Sequence, residues 1–277
     1  MTRSILWLWG LLLLGQGLIA QENENAKTGF WELRLGIGVD RFQDSKNSPL
    51  KLSGTDVPIG IYRGRITDKS ISTGGLEIRS SELSTSVNEQ VTLSNGEVNL
   101  HFEYLRKLSA QTSLFDTWYL GGRVDFRRQN LENELLGNNS VNVFFNTSLS
   151  VVNRVERTVR TLGKDARLSY TLSLSLLNYV KEDNSFSFAA PQQALEDGVY
   201  NTQDFEHSLF EYGEVTSLNS FIQLRSRLAL HFPAKRRSSW ELAYEWQFRN
   251  YAQVDQLGIA SASHNLSISY HLPKKKN

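Results

Sequence analysis

No cysteine occurs in the 277 residues, so disulfides, thiolate metal sites and a lipidated N-terminal cysteine are all excluded. Proline is scarce, with five in the chain, and apolar runs are short. After position 20 no stretch approaches the ~20 residues that a membrane-spanning helix needs. Charge of one sign is missing as well. Thirty basic and 29 acidic side chains nearly cancel, which removes the bulk electrostatic case for nucleic-acid binding. Phosphate-cradling glycine loops are absent too: Gly36 and Gly38 fall inside an alternating pattern, where small inward residues make room for neighbours. Anything this chain does in a membrane is expected of strands.

Met1 to Ala20 reads as a secretory signal, with Arg3 as its charged start, an apolar stretch from Ile5 to Leu14 and small residues from Gly15 to Ala20. Cleavage is expected after Ala20, with Gly17 as the alternative position. The rest, 21–277, reads as a single domain.

From Phe30 onward the dominant period is two. Trp31, Leu33, Leu35, Ile37 and Val39 share one side; Glu32, Arg34, Gly36, Gly38 and Asp40 share the other. The same holds for Val98 to Tyr104, Trp118 to Phe126, Val141 to Val151, Tyr170 to Leu176, Ile222 to Leu230, Trp240 to Phe248 and Leu266 to Leu272. Ten strands are expected, near 30–40, 55–66, 71–80, 97–107, 114–127, 140–154, 166–180, 215–232, 238–251 and 260–272. Eight or twelve stay open, because Gly74 and Gly75 interrupt the third and the segment after Lys181 has room for another hairpin. Many of these runs exceed the ~5–6 residues of an ordinary soluble strand and match the ~9–11 that cross a bilayer at a tilt. A secreted β-sandwich, the competing fold, would have shorter ones.

The connections alternate. Thr67 to Ser70, Leu108 to Ser113 and Pro233 to Arg237 are short, and Val155 to Asp165 is intermediate. Arg41 to Gly54, Ser81 to Gly96, Arg128 to Asn139, Lys181 to Glu214 and Ala252 to Ile259 are longer. The 181–214 loop is acidic, whereas Arg154, Arg157, Arg160, Lys164, Arg167, Lys235 to Arg237 and Lys274 to Lys276 make the opposite rim basic. Taken together, the export signal, the long alternating strands, the outward aromatics (Trp31, Trp118, Trp240, Trp246, Tyr270) and the final strand ending at Leu272 resemble a small outer-membrane β-barrel protein of Gram-negative bacteria. The resemblance implies an all-β, transmembrane, antiparallel up-and-down barrel. It also implies short turns and both termini in the periplasm, with the 181–214 loop outside the cell. Such barrels usually end on an aromatic residue; here Pro273 and three Lys follow Leu272.

Closing a barrel turns its polar face inward. The expected lumen set is Glu32, Arg34, Glu77, Arg79, Glu103, Arg123, Asp125, Arg127, Arg225, Arg227, Glu241, Glu245 and Arg249. At ten strands the interior is close to being filled by side chains, so Arg–carboxylate networks and a plugged lumen are expected. A narrow ion or small-solute conduit is the alternative.

Catalytic signals are weak by comparison. Ser94-Asn95-Gly96 resembles the run in outer-membrane phospholipases, but Thr92 stands where their His would be, and Asn-Gly there reads as turn chemistry. Asp204, His207 and Ser208 in the acidic loop form the best hydrolase-like cluster, though the paired Asp of omptin-like proteases has no counterpart. His101, His231, His264 and His271 lie on different strands without local metal-ligand spacing. No cofactor and no metal is expected. The expected partners are outer-membrane lipid and other outer-membrane proteins. The expected role is structural, binding or accessory at the cell surface, with a lipid or peptide hydrolase as the alternative.

Overall fold

The computed structural model describes residues 28–44, 50–87, 92–108, 114–132, 141–161, 163–184, 213–234, 238–252 and 258–273. The export segment 1–20, most of the 181–214 loop and the basic stretches 235–237 and 274–277 lie outside them. The strands are β1 (Thr28–Asp44), β2 (Lys51–Ile66), β3 (Ser70–Ser84), β4 (Thr92–Leu108), β5 (Thr117–Glu132), β6 (Val141–Thr161), β7 (Lys164–Asn184), β8 (Glu214–Ser217), β9 (Phe221–Pro233), β10 (Ser239–Tyr251) and β11 (Ile259–Pro273). Around the sheet the order is β6-β5-β4-β3-β2-β1-β11-β10-β9-β7, and pairing of β6 with β7 seals it into a ten-stranded antiparallel barrel. The expected segment 215–232 is divided. β8 pairs with Leu177–Val180 of β7 and β9 pairs with Arg167–Leu174 below it, so the two act as one interrupted stave. The interruption stands level with a bulge: β6 passes from partner Leu177 to partner Ser175, leaving Leu176 as the extra residue.

Several expected loops are strand instead. The 155–165 connection is the end of the β6–β7 hairpin, in which Thr161 pairs with Lys164 and Gly163 takes a φ of +73°, a left-handed value that suits glycine in a tight turn. Ser94 to Gly96 is not a turn but part of β4. Asn95 faces inward, donating to Asp40 at 3.1 Å and accepting from Gln129 at 2.9 Å. Gly75, expected to weaken the third strand, sits within a continuous β3. A Cβ there would meet the Tyr62 ring at 2.2 Å, and one at Gly60 would meet its hydroxyl at 2.4 Å. Both glycines let Tyr62 lie flat on the inner wall.

Outside, the wall carries a continuous apolar belt. On β1 it runs from Trp31 to Val39, nine positions, in line with the ~9–11 that span a bilayer. Leu35 is 54% exposed, Ile37 61% and Leu266 57%, values that water would penalise across so wide a patch. Trp240 packs at a tilt against Tyr270 (4.6 Å between centroids) toward the short-turn rim, and Trp246 lies against Phe248 toward the other. This is the aromatic girdle pattern of a transmembrane barrel.

Along β1 to β5 the alternation changes sign where the belt ends. On β1 the outward series passes from Val39 to exposed Arg41, and the inward series from Asp40 to buried Phe42. On β3 it passes from Ile78 to Ser80 and Glu82 outside, while Arg79 and Ser81 give way to Leu83 inside. Residue parity is unchanged; the surrounding medium differs. Within the belt the barrel is apolar outside and polar inside, and above it the order is that of a water-soluble domain.

Candidate functional site

The interior is layered. Nearest the long-loop rim, every stave of the barrel sends in one apolar side chain. Phe42, Leu83, Leu93 and Leu131 form one packed group with Leu52 and Ile259 against it. Phe144, Val180, Phe221 and Tyr251 form the second, again touching Ile259. The register stacks these residues at a common height: Phe42 is opposite Leu52, Leu83 opposite Leu93, and Tyr251 opposite both Phe221 and Ile259. The result is an apolar ring around the lumen. Sequence reading missed it: Phe42, Leu52, Leu83, Leu93, Leu131 and Ile259 fell in expected loops, and Phe144, Val180, Phe221 and Tyr251, although inside expected strands, share strand parity with the charged set.

Below the ring lies the charged layer. Arg249 on β10 reaches Glu97 on β4 at 2.9 Å, and those two strands are diametrically opposed, five staves apart either way. Arg79 on β3 bonds its neighbour Glu77 at 2.8 Å, Asp56 at 3.3 Å and, across the lumen, Glu245 on β10 at 3.2 Å. Glu245 also accepts from Arg225 at 2.5 Å and lies 3.7 Å from Arg227. Arg127 pairs with Glu97 at 3.0 Å, and Arg123 with Asp125 at 2.7 Å and Glu103 at 3.8 Å. Arg34 is held by Glu32 at 2.7 Å and Glu77 at 3.6 Å, with its guanidinium 4.3 Å over the Tyr62 ring. Tyr62 in turn donates to Glu77.

The structure therefore brings all thirteen expected lumen residues onto the inner wall and joins them in ion pairs. It adds Asp40, Asp56 and Glu97, which lie at the ends of expected strands, and pairs Arg154, expected on the basic rim, with Glu156 from the expected 155–165 connection inside the lumen at 2.7 Å. Pairs of this kind hold geometry more than they add stability, since each ion gives up water to enter the wall. Their cross-lumen reach is what matters here: Arg249–Glu97 and Arg79–Glu245 join staves on opposite sides of the barrel.

Toward the short-turn rim the lumen opens into a cavity of ≈ 220 Å³ lined by Arg34, Glu103, Arg154, Glu156, Glu241 and their neighbours. Ile66 and Ile71 line part of it, packed with Leu105, Tyr119 and Val152. The histidines that looked unrelated in sequence separate by face. His264 points outward and bonds Tyr244 at 2.7 Å. His231 and His271 point inward and converge on Glu241. Strand register, which the sequence does not display, places them together. Asp204, His207 and Ser208 lie outside the described residues, so the structure neither assembles nor separates them.

The fold and its lumen define a closed, ten-stranded transmembrane β-barrel whose bore is crossed by ion pairs. No protein-family model matches the chain, and no curated protein sequence does. Among solved structures, its shape is similar to the transport unit of the autotransporter AIDA-I from Escherichia coli (9% identity, 97% of each chain, TM-score 0.48). It is also similar to the translocator domain of the autotransporter NalP from Neisseria meningitidis (9% identity, 97% of this chain and 96% of the other, TM-score 0.43). A third is Neisserial surface protein A (8% identity, 88% and 98%, TM-score 0.37).

Proposed function

We propose that the chain is an integral outer-membrane barrel with a binding or accessory role, closed to diffusion along its bore, with its short turns in the periplasm and the 181–214 loop at the cell surface. One observation carries the reading: the reversal of inner and outer polarity at the edges of the apolar belt. A wall in water throughout has no reason to reverse, whereas a wall passing from lipid to water must, because unpaired polar groups are costly in hydrocarbon. Closure follows from the Arg249–Glu97 and Arg79–Glu245 bridges below the apolar ring. Lipid is then the partner of the belt.

Produced in a Gram-negative host, the chain is expected to fractionate with the outer membrane and to show heat-dependent gel mobility. In planar bilayers it is expected to give no reproducible conductance steps. Recovery as a soluble periplasmic protein removes the membrane reading, and regular unitary steps remove the closed bore.

A further inference from the structure

We propose that His231, Glu241 and His271 form a site for a borderline divalent metal ion such as Zn²⁺, open to the cavity at the short-turn end. His231 on β9 stands directly opposite Glu241 on β10, and His271 on β11 is opposite Ser239, one inward position away from Glu241 along β10. Three adjacent staves thus present two imidazoles and a carboxylate to one point. His231 Nδ1 is 3.0 Å from Glu241 Oε2, His271 Nε2 is 3.7 Å from the same oxygen, and one ligand atom from each of the three residues lies within 4.8 Å of the others.

Ligands about 2.0–2.2 Å from a tetrahedral zinc stand roughly 3.3–3.5 Å apart. The two measured separations bracket that value, and the third is bounded at 4.8 Å, within reach of a rotation of His271, whose ring borders the cavity. Two imidazoles with one carboxylate favour Zn²⁺, Co²⁺ or Ni²⁺ over Ca²⁺ or Mg²⁺, which prefer all-oxygen shells.

The surroundings orient these groups as outer partners orient metal ligands. Ser169 Oγ is 3.2 Å from His231 Nε2, so it can accept that nitrogen's proton while Nδ1 faces the site. Arg227 bonds Glu241 Oε1 and leaves Oε2 to the two histidines. Phe30 packs on the far side of His271, 5.4 Å between ring centroids. His271 Nε2 is buried without a hydrogen-bond partner, as expected of a nitrogen reserved for an ion. The remaining coordination position faces the cavity, where water completes the shell. This inference rests on strand register and side-chain placement, and it stands or falls separately from the membrane reading.

The test is Co²⁺ binding to the purified mature barrel in detergent, followed by visible absorption and by equilibrium dialysis with Zn²⁺ as competitor. One equivalent per chain is expected. Affinity should fall at least tenfold in His231→Ala and in His271→Ala. Ser169→Ala should lose about tenfold, the low end for an outer partner, and His264→Ala on the exterior should change nothing. Heat-dependent gel mobility establishes that each variant is folded. Should a histidine variant misfold, protection of His231 and His271 from carbethoxylation by Zn²⁺ in the unaltered chain gives the same answer. Sub-stoichiometric Co²⁺, binding that survives both histidine substitutions, or an absence of protection overturns the site.

Discussion

The section of the wall inside the belt and the section projecting above it are built from the same strands with the same alternation, yet their faces are exchanged. On β1, Leu35 outside and Arg34 inside become Arg41 outside and Phe42 inside within a few residues. On β4, Leu100 outside and Asn99 inside become Ser94 outside and Leu93 inside. The hydrophobic effect explains both sections with one rule, provided the solvent differs. In water the projecting section buries its apolar residues as any soluble barrel does. In lipid no such gain exists on the outside, and the polar side chains collect where they can pair.

The comparison breaks most visibly at the charged layer. Glu245→Leu leaves Arg79, Arg225 and Arg227 short of a common acceptor. It is expected to cost about 3–5 kcal/mol, as removing one partner of a buried pair does, measured by reversible urea unfolding from lipid vesicles. Next in size, Leu35→Arg places a charge on the outer face near the middle of the belt and is expected to cost about 2–4 kcal/mol. The same measurement on Ser80→Arg, beyond the belt edge on β3, should lie within about 0.5 kcal/mol of the parent. Equal costs at the two positions would mean that both face one medium. Leu83→Ala, at 0% exposure in the apolar ring, is expected to lose about 2–3 kcal/mol, the lower part of the range for buried leucine because the ring adjoins the loops.

Strand number, strand identity and the charged inner wall were legible in the sequence because period-two alternation states directly which residues share a face. Arg123, Asp125 and Arg127 were readable as an inward series without any pairing information. What remained hidden depended on long-range register or on a change of medium. Leu83, Leu93 and Leu131 looked like loop residues because alternation appeared to stop where polarity reversed, although the strands continue through them. His231, Glu241 and His271 lacked local spacing because their proximity is a property of three paired staves. The tight hairpin ending at Gly163 was hidden for a related reason: Arg157, Arg160 and Lys164 are too polar to suggest strand, yet lie at the rim where both faces meet water.

Because the chain has no cysteine, single spin labels can be placed at will, and their collision rates with oxygen and with a water-soluble nickel chelate report the surrounding medium. Labels at positions 35, 59, 100 and 268 in the reconstituted barrel should favour oxygen and be shielded from nickel. Labels at 43, 53, 82 and 94 should show the opposite, with the crossover on β1 between positions 39 and 41. Ready nickel access at 35, 59, 100 and 268 would contradict a lipid-facing belt and, with it, the physical basis of the whole arrangement.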